Sequence, residues 1–313
     1  MWTSREPVPP QGRWVLVTGA SSGLGRQATV DLARHGFTVF AAVRRAADGA
    51  QLREAAAGAG AGTGTVRPVL LDVTDDATLQ RAAEEVAAET GAAGLWGLVN
   101  NAGICVTAPL ECVTREELRT QLETNVVGSV MVTRAMLPAL RRGGGRIVNV
   151  TSGLGTVAVP YLGAYAASQF AKEALSDIMR RELRAFGIAV SVVQPGAIMT
   201  PIWRKTRETA LRTLQAAPES VAGLYRSSLL SFVDANEQGA LASTTTMQDF
   251  ADAVRTALTA HRPKIRYVVG ADVKKARFMT RLLPASAFDR QLGAIVGPPP
   301  AVGREPASTS PGR

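Results

Sequence analysis

Short apolar runs alternate with amphipathic stretches along most of the chain, and that alternation predicts its architecture. WVLVT, Trp14 to Thr18, carries no charge and suits a strand buried on both faces. A helical stretch follows to His35, with Gly36 placed to end it. Phe37 to Val43, Val66 to Asp72, Leu95 to Asn100, Gly145 to Ser152 and Ile188 to Gln194 read as the next five strands, and Ile265 to Gly270 as the last. Helical patterns lie between them. Thr74 to Thr90 is one, Thr114 and Glu117 form a capping box that opens another, and Gly163 to Phe186 is a long one closed by Gly187. Strands alternating with helices make right-handed βαβ units. The expected fold is therefore α/β: a single doubly wound parallel sheet, a Rossmann fold, with helices on both faces and ligands at the C-terminal ends of the strands.

Departures from the rhythm mark the other segments. Residues 1–12 form an N-terminal extension, and residues 13–297 read as one domain because no linker interrupts the alternation. Ala55 to Thr65 is low in complexity and reads as a surface loop after a short second helix. Residues 199–246 mix helical and polar sequence, which suggests a mobile lid over the strand ends. Residues 272–297 begin with a basic amphipathic helix that sets Val273, Ala276, Met279 and Leu283 against Lys274, Arg277 and Arg281. Such a helix can lie on an anionic membrane, but packing on its own domain or on a partner subunit is the commoner outcome. Residues 298–313 read as a disordered tail.

Composition narrows the function classes. At 46% hydrophobic and 19% charged, the chain is ordinary for a folded protein. It has no apolar run long enough to span a membrane, and its N-terminus lacks the apolar core of a signal peptide. Cys105 and Cys112 read as free thiols, so a cytoplasmic location is expected. The net charge of +9 invites a nucleic-acid partner, but the one dense basic cluster, Arg262 to Arg281, has no interleaved stacking aromatics. It reads as a solvated face, and no nucleic acid is expected. His35 and His261 lack ligand company at metal spacing, so no metal is expected.

TGASSGLG, Thr18 to Gly25, sits between the first strand and the first helix. Its glycines let the backbone approach a pyrophosphate, and the helix start supplies N–H groups and partial positive charge. With it come LLDVTD containing Asp72, NNAG (Asn100 to Gly103), Asn125 in LETNVVG, Ser152 thirteen residues before Tyr165, and PGAIMT (Pro195 to Thr200). On these motifs the chain resembles the short-chain dehydrogenase/reductase family from about Arg13 to Gly270. LWGLVNNAG and PGAIMTPIW are most similar to its hydroxysteroid and retinol dehydrogenase side.

The resemblance implies an oxidoreductase binding NAD(H) or NADP(H). It puts the pyrophosphate on Gly19, Ser21, Ser22, Gly23, Leu24 and Gly25, and the adenine beside Asp72 and Val73. The nicotinamide ribose would lie near Asn101, Ala102 and Gly103, with Tyr165 and Gln169, and the carboxamide near Pro195, Gly196, Ile198 and Thr200. The second strand ends Val43-Arg44-Arg45, where NAD enzymes usually place a carboxylate for the ribose 2′-hydroxyl. Guanidinium groups suit a 2′-phosphate, and Ser22 adds a hydroxyl, so NADP(H) is favoured over NAD(H). Tyr165 would exchange a proton with the substrate oxygen, Ser152 would anchor that oxygen, and Asn125 would support a water chain behind the site. Ile104, Val159, Tyr161, Met199 and Trp203 would line an apolar mouth for a steroid-, retinoid- or polyketide-like carbonyl. The resemblance also implies a homo-oligomer, dimer or tetramer.

One position departs from the family. Its Tyr, three residues, Lys pattern reads YAASQ here, with Gln169 in the lysine's place. A glutamine can hydrogen-bond a ribose but carries no charge to depress the tyrosine pKa. Each unit of lost depression costs about 1.4 kcal/mol. Oxidation needs the phenolate and reduction the phenol, so Gln169 biases the site toward reduction. The alternatives are a non-redox isomerase, cyclase or dehydratase on the same fold, or a catalytically degenerate nucleotide binder. Lys172 lies three residues further along the helix; a solvated or capping lysine is the plain expectation for it, and a long stem reaching back to stand in for the missing lysine is the alternative.

Overall fold

Each strand is sealed from both sides, and the alternation of its side chains shows how. In β1 (Trp14–Val17) Val15 and Val17 join one apolar cluster, while Leu16 joins another on the opposite face. The structure is a computed structural model and describes residues 6–57 and 64–296. One face carries α1 (Gly23–Arg34), α2 (Ala46–Ala57) and α9 (Met247–Thr259), whose Phe250, Val254 and Leu258 are wholly buried. The other carries α3 (Asp76–Thr90), α5 (Gly128–Gly143) and the end of α6 (Gly163–Glu182), packed on Leu16, Phe40 and Ile147.

The remaining strands are β2 (Thr38–Val43), β3 (Thr65–Leu70), β4 (Gly97–Asn100), β5 (Arg146–Val150), β6 (Ala189–Pro195) and β7 (Arg266–Val269). All pairings are parallel, in the order β3-β2-β1-β4-β5-β6-β7. Val15 pairs with both Val39 of β2 and Gly97 of β4, so the chain winds outward in both directions from β1 and β4. The expected doubly wound parallel sheet is what the chain forms.

A polar seam crosses the buried middle. Asn100 Nδ2 donates to Asn149 Oδ1 at 2.9 Å and to Thr133 Oγ1 at 2.8 Å, and Asn149 Nδ2 donates to Ser176 Oγ at 2.9 Å. A second network closes the β7 edge. Glu173 accepts from Thr151 Oγ1 (2.7 Å), Gln194 Nε2 (2.8 Å) and Arg266 Nε (2.9 Å), while Arg266 also reaches Asp177. The basic cluster is therefore not simply a solvated face: Arg266 is drawn onto the buried Glu173 and the half-buried Asp177, and Arg277 donates to Gln194.

Elsewhere the chain differs from the expectation in detail. Thr74 is held by Asp72, so the third helix starts at Asp76, capped by Asp75. The capping box of Thr114 and Glu117 opens α4 (Arg115–Leu122). Residues 199–246 are largely two helices, α7 (Ile202–Ala216) and α8 (Glu219–Leu241), with an apolar core of their own around Leu214, Leu229 and Phe232. α10 (Ala271–Leu282) and α11 (Ala285–Val296) follow β7. One apolar face of α10 turns inward: Val273 is buried, and Ala276 and Met279 line the central cleft, while Phe278 and Leu282 stay exposed. No helix among the described residues is long and apolar enough to cross a membrane. Val8 of the N-terminal extension donates its N–H to Thr259 at 2.7 Å. Most of the low-complexity loop and all of the 298–313 tail lie outside the described residues.

α9 owes its place to packing and to a second capping box, Thr246 with Asp249. Phe250→Ala is expected to cost about 3–5 kcal/mol and Thr246→Ala about 1 kcal/mol. Urea unfolding followed by far-UV circular dichroism measures both, and equal losses would contradict this account of the helix.

Candidate active site

Where β1 and β4 part, their C-terminal ends open a cleft of about 1610 Å³. Its floor is the turn between β1 and α1. Gly19 has φ +65°, a conformation that disfavours side chains, and a Cβ on Gly25 would lie 2.3 Å from the Gly19 carbonyl oxygen. The turn is pinned to β4: Thr18 Oγ1 accepts the N–H of Asn101 and of Ala102, each at 3.0 Å, and Asn101 Nδ2 donates to the Thr18 carbonyl at 2.9 Å. Ser22 is the N-cap of α1, but its side chain makes no capping bond. The helix thus presents unpaired N–H groups beside Ser21, Gly23 and Leu24 in the cleft wall. Arg44, at the end of β2, and Asp72 and Val73, after β3, line the same end.

The other end holds the phenol. Ser152 follows β5, Tyr165 and Gln169 lie on α6, and all three line the cleft. Desolvation raises the Tyr165 pKa above the ordinary tyrosine value; neighbouring Cys105 adds to the rise and the Ser152 hydroxyl opposes it. Cys105 is itself pushed up to about 11 by burial. Asn125 lies in a widened π-helical turn, Glu123–Val127, between α4 and α5. Its Oδ1 accepts the Ile104 N–H at 2.9 Å, and its Nδ2 donates to the Ile104 carbonyl at 3.0 Å and to Ser168 Oγ at 3.2 Å. The Asn125 amide therefore holds the backbone beyond Gly103.

Pro195, Gly196, Ile198 and Thr200 bring the segment after β6 across the cleft toward the glycine turn. Val159 and Trp203 also line it, and the Trp203 indole donates to the Ile198 carbonyl at 2.9 Å. Three expected residues do not reach it. Arg45 turns away to pair with Asp48, Nη2 to Oδ1 at 2.8 Å. Met199 is 42% exposed on the outer side of its loop. Tyr161 adopts φ +65°, which sends its ring onto Phe232 and its hydroxyl to Ser228 at 2.9 Å.

Further residues hold the walls in place, Gln121 and Asp272 among them not singled out in the sequence. Gln121 accepts the Val106 N–H at 2.7 Å and donates to the Ile104 carbonyl at 2.9 Å. It lies one turn before Asn125 on the same helical stripe, a spacing that could have revealed it. Asp272 accepts the Ala197 N–H at 2.8 Å and so holds the loop after β6. Lys172 departs from the solvated expectation: it is 3% exposed, lines the cleft, and donates to the Val150 carbonyl at 2.6 Å.

The model of the family described as short chain dehydrogenase matches residues 13–211. The chain belongs to the short-chain dehydrogenase/reductase family. It is 42% identical over 275 residues to a 3-amino-tetrahydro-pyrrolizinone reductase from Xenorhabdus hominickii, covering 88% of this chain and 93% of that one. It is 34% identical over 302 residues to human retinol dehydrogenase 5, covering 94% and 92%. A short chain dehydrogenase from Burkholderia cenocepacia in complex with NADP superposes with a TM-score of 0.67 at 26% identity, covering 91% and 99%. One from Burkholderia phymatum in complex with NAD gives 0.73 at 22%, covering 90% and 96%. The protein is thus an oxidoreductase of the short-chain type, on a fold that binds nicotinamide cofactors. The residues present fit such a group: a helix start without a side-chain cap faces the cleft at one end, and the buried Gln169 Oε1 has no partner at the other.

Gly25→Ala forces the turn apart at Gly19 and Asn101. It is expected to weaken pyridine-nucleotide binding about 100-fold by calorimetry, with far-UV circular dichroism unchanged. Unaltered affinity would separate this turn from nucleotide binding.

Proposed function

We propose that the chain is an NADPH-dependent reductase of a carbonyl on a compact, largely apolar ring substrate. The observation that carries this reading is Tyr165 beside Ser152, facing the cleft with its phenol held in the protonated form by desolvation. A proton donor is what carbonyl reduction requires.

In this reading the Ser152 hydroxyl and the Tyr165 phenol meet at the carbonyl oxygen. NADPH, when bound, supplies the hydride that reduces the carbonyl carbon. The phenol gives its proton to the oxygen, so the carbonyl becomes a carbinol and Tyr165 a phenolate that must regain a proton from solvent. Asn125 and Gln121 hold the segment after β4 that forms the near wall. The reverse oxidation needs the phenolate at the outset, and a raised pKa disfavours it at neutral pH.

Arg44 supports the 2′-phosphate form of the nucleotide, because it lines the cleft at the end of β2 where no carboxylate stands. Ile104, Val159, Trp203 and Phe232 support an apolar substrate. The name of the Xenorhabdus relative, a pyrrolizinone reductase, supports a fused ring over a long chain. Phe170 and Ile178, exposed on α6, support assembly with like subunits. Free Cys105 and Cys112 support a reducing cytoplasm.

NADPH consumption at 340 nm against cyclic and bicyclic ketones tests the reading, and product formed without loss of absorbance would sink it. Tyr165→Phe is expected to lower the reduction rate about 10²- to 10⁴-fold. Arg44→Ala is expected to raise KM for NADPH about tenfold and leave NADH use unchanged. Because the Tyr165 pKa is raised, its acid form persists through the ordinary tyrosine range near 10. The reduction step at saturating nucleotide should therefore stay level in a stopped-flow profile between about pH 9 and 10.5, where an ordinary phenol would lose its proton. A fall in that range at saturating nucleotide would contradict the assignment of the donor.

A further inference from the structure

Two buried polar groups in the cleft wall have hydrogen-bonding capacity that the fold does not use. Gln169 is 3% exposed, and its Oε1 has no partner. Lys172, also 3% exposed, makes one hydrogen bond among the described residues, to the Val150 carbonyl, although an ammonium carries three donors. A buried cation without a carboxylate bonded to it is costly, and such groups are retained where something else meets them. Glu173, the adjacent carboxylate, is already engaged by Thr151, Gln194 and Arg266.

Position makes these two groups a unit. Tyr165, Gln169 and Lys172 fall within about 60° of one another around α6, with Lys172 roughly 10 Å along the axis from Tyr165. Side chains on a helix lean toward its N-terminus, so the lysine stem runs back toward Tyr165. Its ammonium ends on the carbonyl of Val150, two residues before Ser152. Other basic side chains line the cleft, Arg44 and Lys275 among them, but Lys172 is the buried cation in its wall among the described residues.

We propose that Gln169 and Lys172 form a split clamp for the hydroxyl pair of the nicotinamide ribose, and that Lys172 is the positioning cation for the Tyr165 phenolate. Gln169 Oε1 accepts from one hydroxyl, and a free Lys172 N–H donates to the other. The same positive charge faces the anion left when Tyr165 gives up its proton. A hydrogen-bonding role and an electrostatic role are thus divided between residues one helical turn apart. The proposal rests on the NADPH reading above.

The charged group acting on Lys172 is Glu173 on its own helix, with Arg266 of β7 and Arg277 of α10 beside that carboxylate; Tyr165, with Cys105 as its own neighbour, lies two turns back along α6. Burial brings Lys172 down to about 8, and Glu173 opposes the shift. The clamp is therefore charged below that value and lost above it. Cys105, at about 11, titrates higher.

Calorimetry with NADPH alone, between pH 7 and 9.5, is the test. Wild-type affinity is expected to fall about tenfold as pH rises through 8, the loss of one charge-assisted hydrogen bond. Lys172→Met should bind about tenfold more weakly at pH 7 and show no such fall, and Lys172→Arg should restore tight binding that persists to pH 9.5. In turnover, Lys172→Met should lower kcat for alcohol oxidation more than for reduction. Wild type that takes up no NADPH overturns the clamp together with the proposed function. Wild type that binds with the same affinity at pH 7 and 9.5, or a folded Lys172→Met variant with unchanged affinity, overturns the clamp alone. Thermal unfolding of each variant establishes folding, and the wild-type pH series needs no variant.

Discussion

The site exists because β1 and β4 are neighbours whose chains leave the sheet in opposite directions. That divergence is a constraint of parallel topology, since crossovers of one hand on both faces must separate somewhere. Here the gap is held at a fixed width by the Thr18 hydroxyl, which takes two backbone N–H groups from the far side, and by Asn101, which returns a bond to the Thr18 carbonyl. Loosening that strut would move the glycine turn, the start of α1 and the segment beyond Gly103 together. The polar seam beneath it, from Thr133 through Asn100 and Asn149 to Ser176, ties the same strands to α5 and α6. Tyr165 inherits its position from that seam.

Electrostatics at the phenol end follow from depth more than from contacts. Desolvation is the largest influence on Tyr165, Cys105 and Lys172 alike, and it drives each toward its neutral form. A pocket of that kind favours chemistry that begins uncharged. It also makes any charge that appears during reaction depend on a nearby partner of opposite sign, because water is scarce there to solvate it.

Much of this was legible in the sequence, for local reasons. Strand cores such as Trp14 to Val17 and Arg146 to Val150 are runs without interior charge, and helix ends such as Thr114 with Glu117, or Gly187, are set by residues beside them. The glycine turn could be read from its place between a strand and a helix, and the pairing of Ser152 with Tyr165 from the family resemblance. What escaped depends on distant packing. The burial of Lys172 is decided by β5 and the strand-end network. Tyr161 turns toward α8 because of its own backbone angle, which no neighbouring residue type announces. α9 is a different case: the apolar spacing of Phe250, Val254 and Leu258 and a capping pair were present, but they lay beyond a stretch read as a lid.

The hairpin of α7 and α8 encloses Leu214, Leu229 and Phe232 in an apolar interior separate from the two clusters that flank the sheet. That interior is nevertheless moored to the cleft at one edge, where Leu162 joins it and Tyr161 packs on Phe232. Replacements on its inner surface, at Phe232, Val233 or Asn236, can reshape the chamber without disturbing the strands. In such an arrangement the contour of the chamber can be recut from one side while the strand tips opposite keep their places.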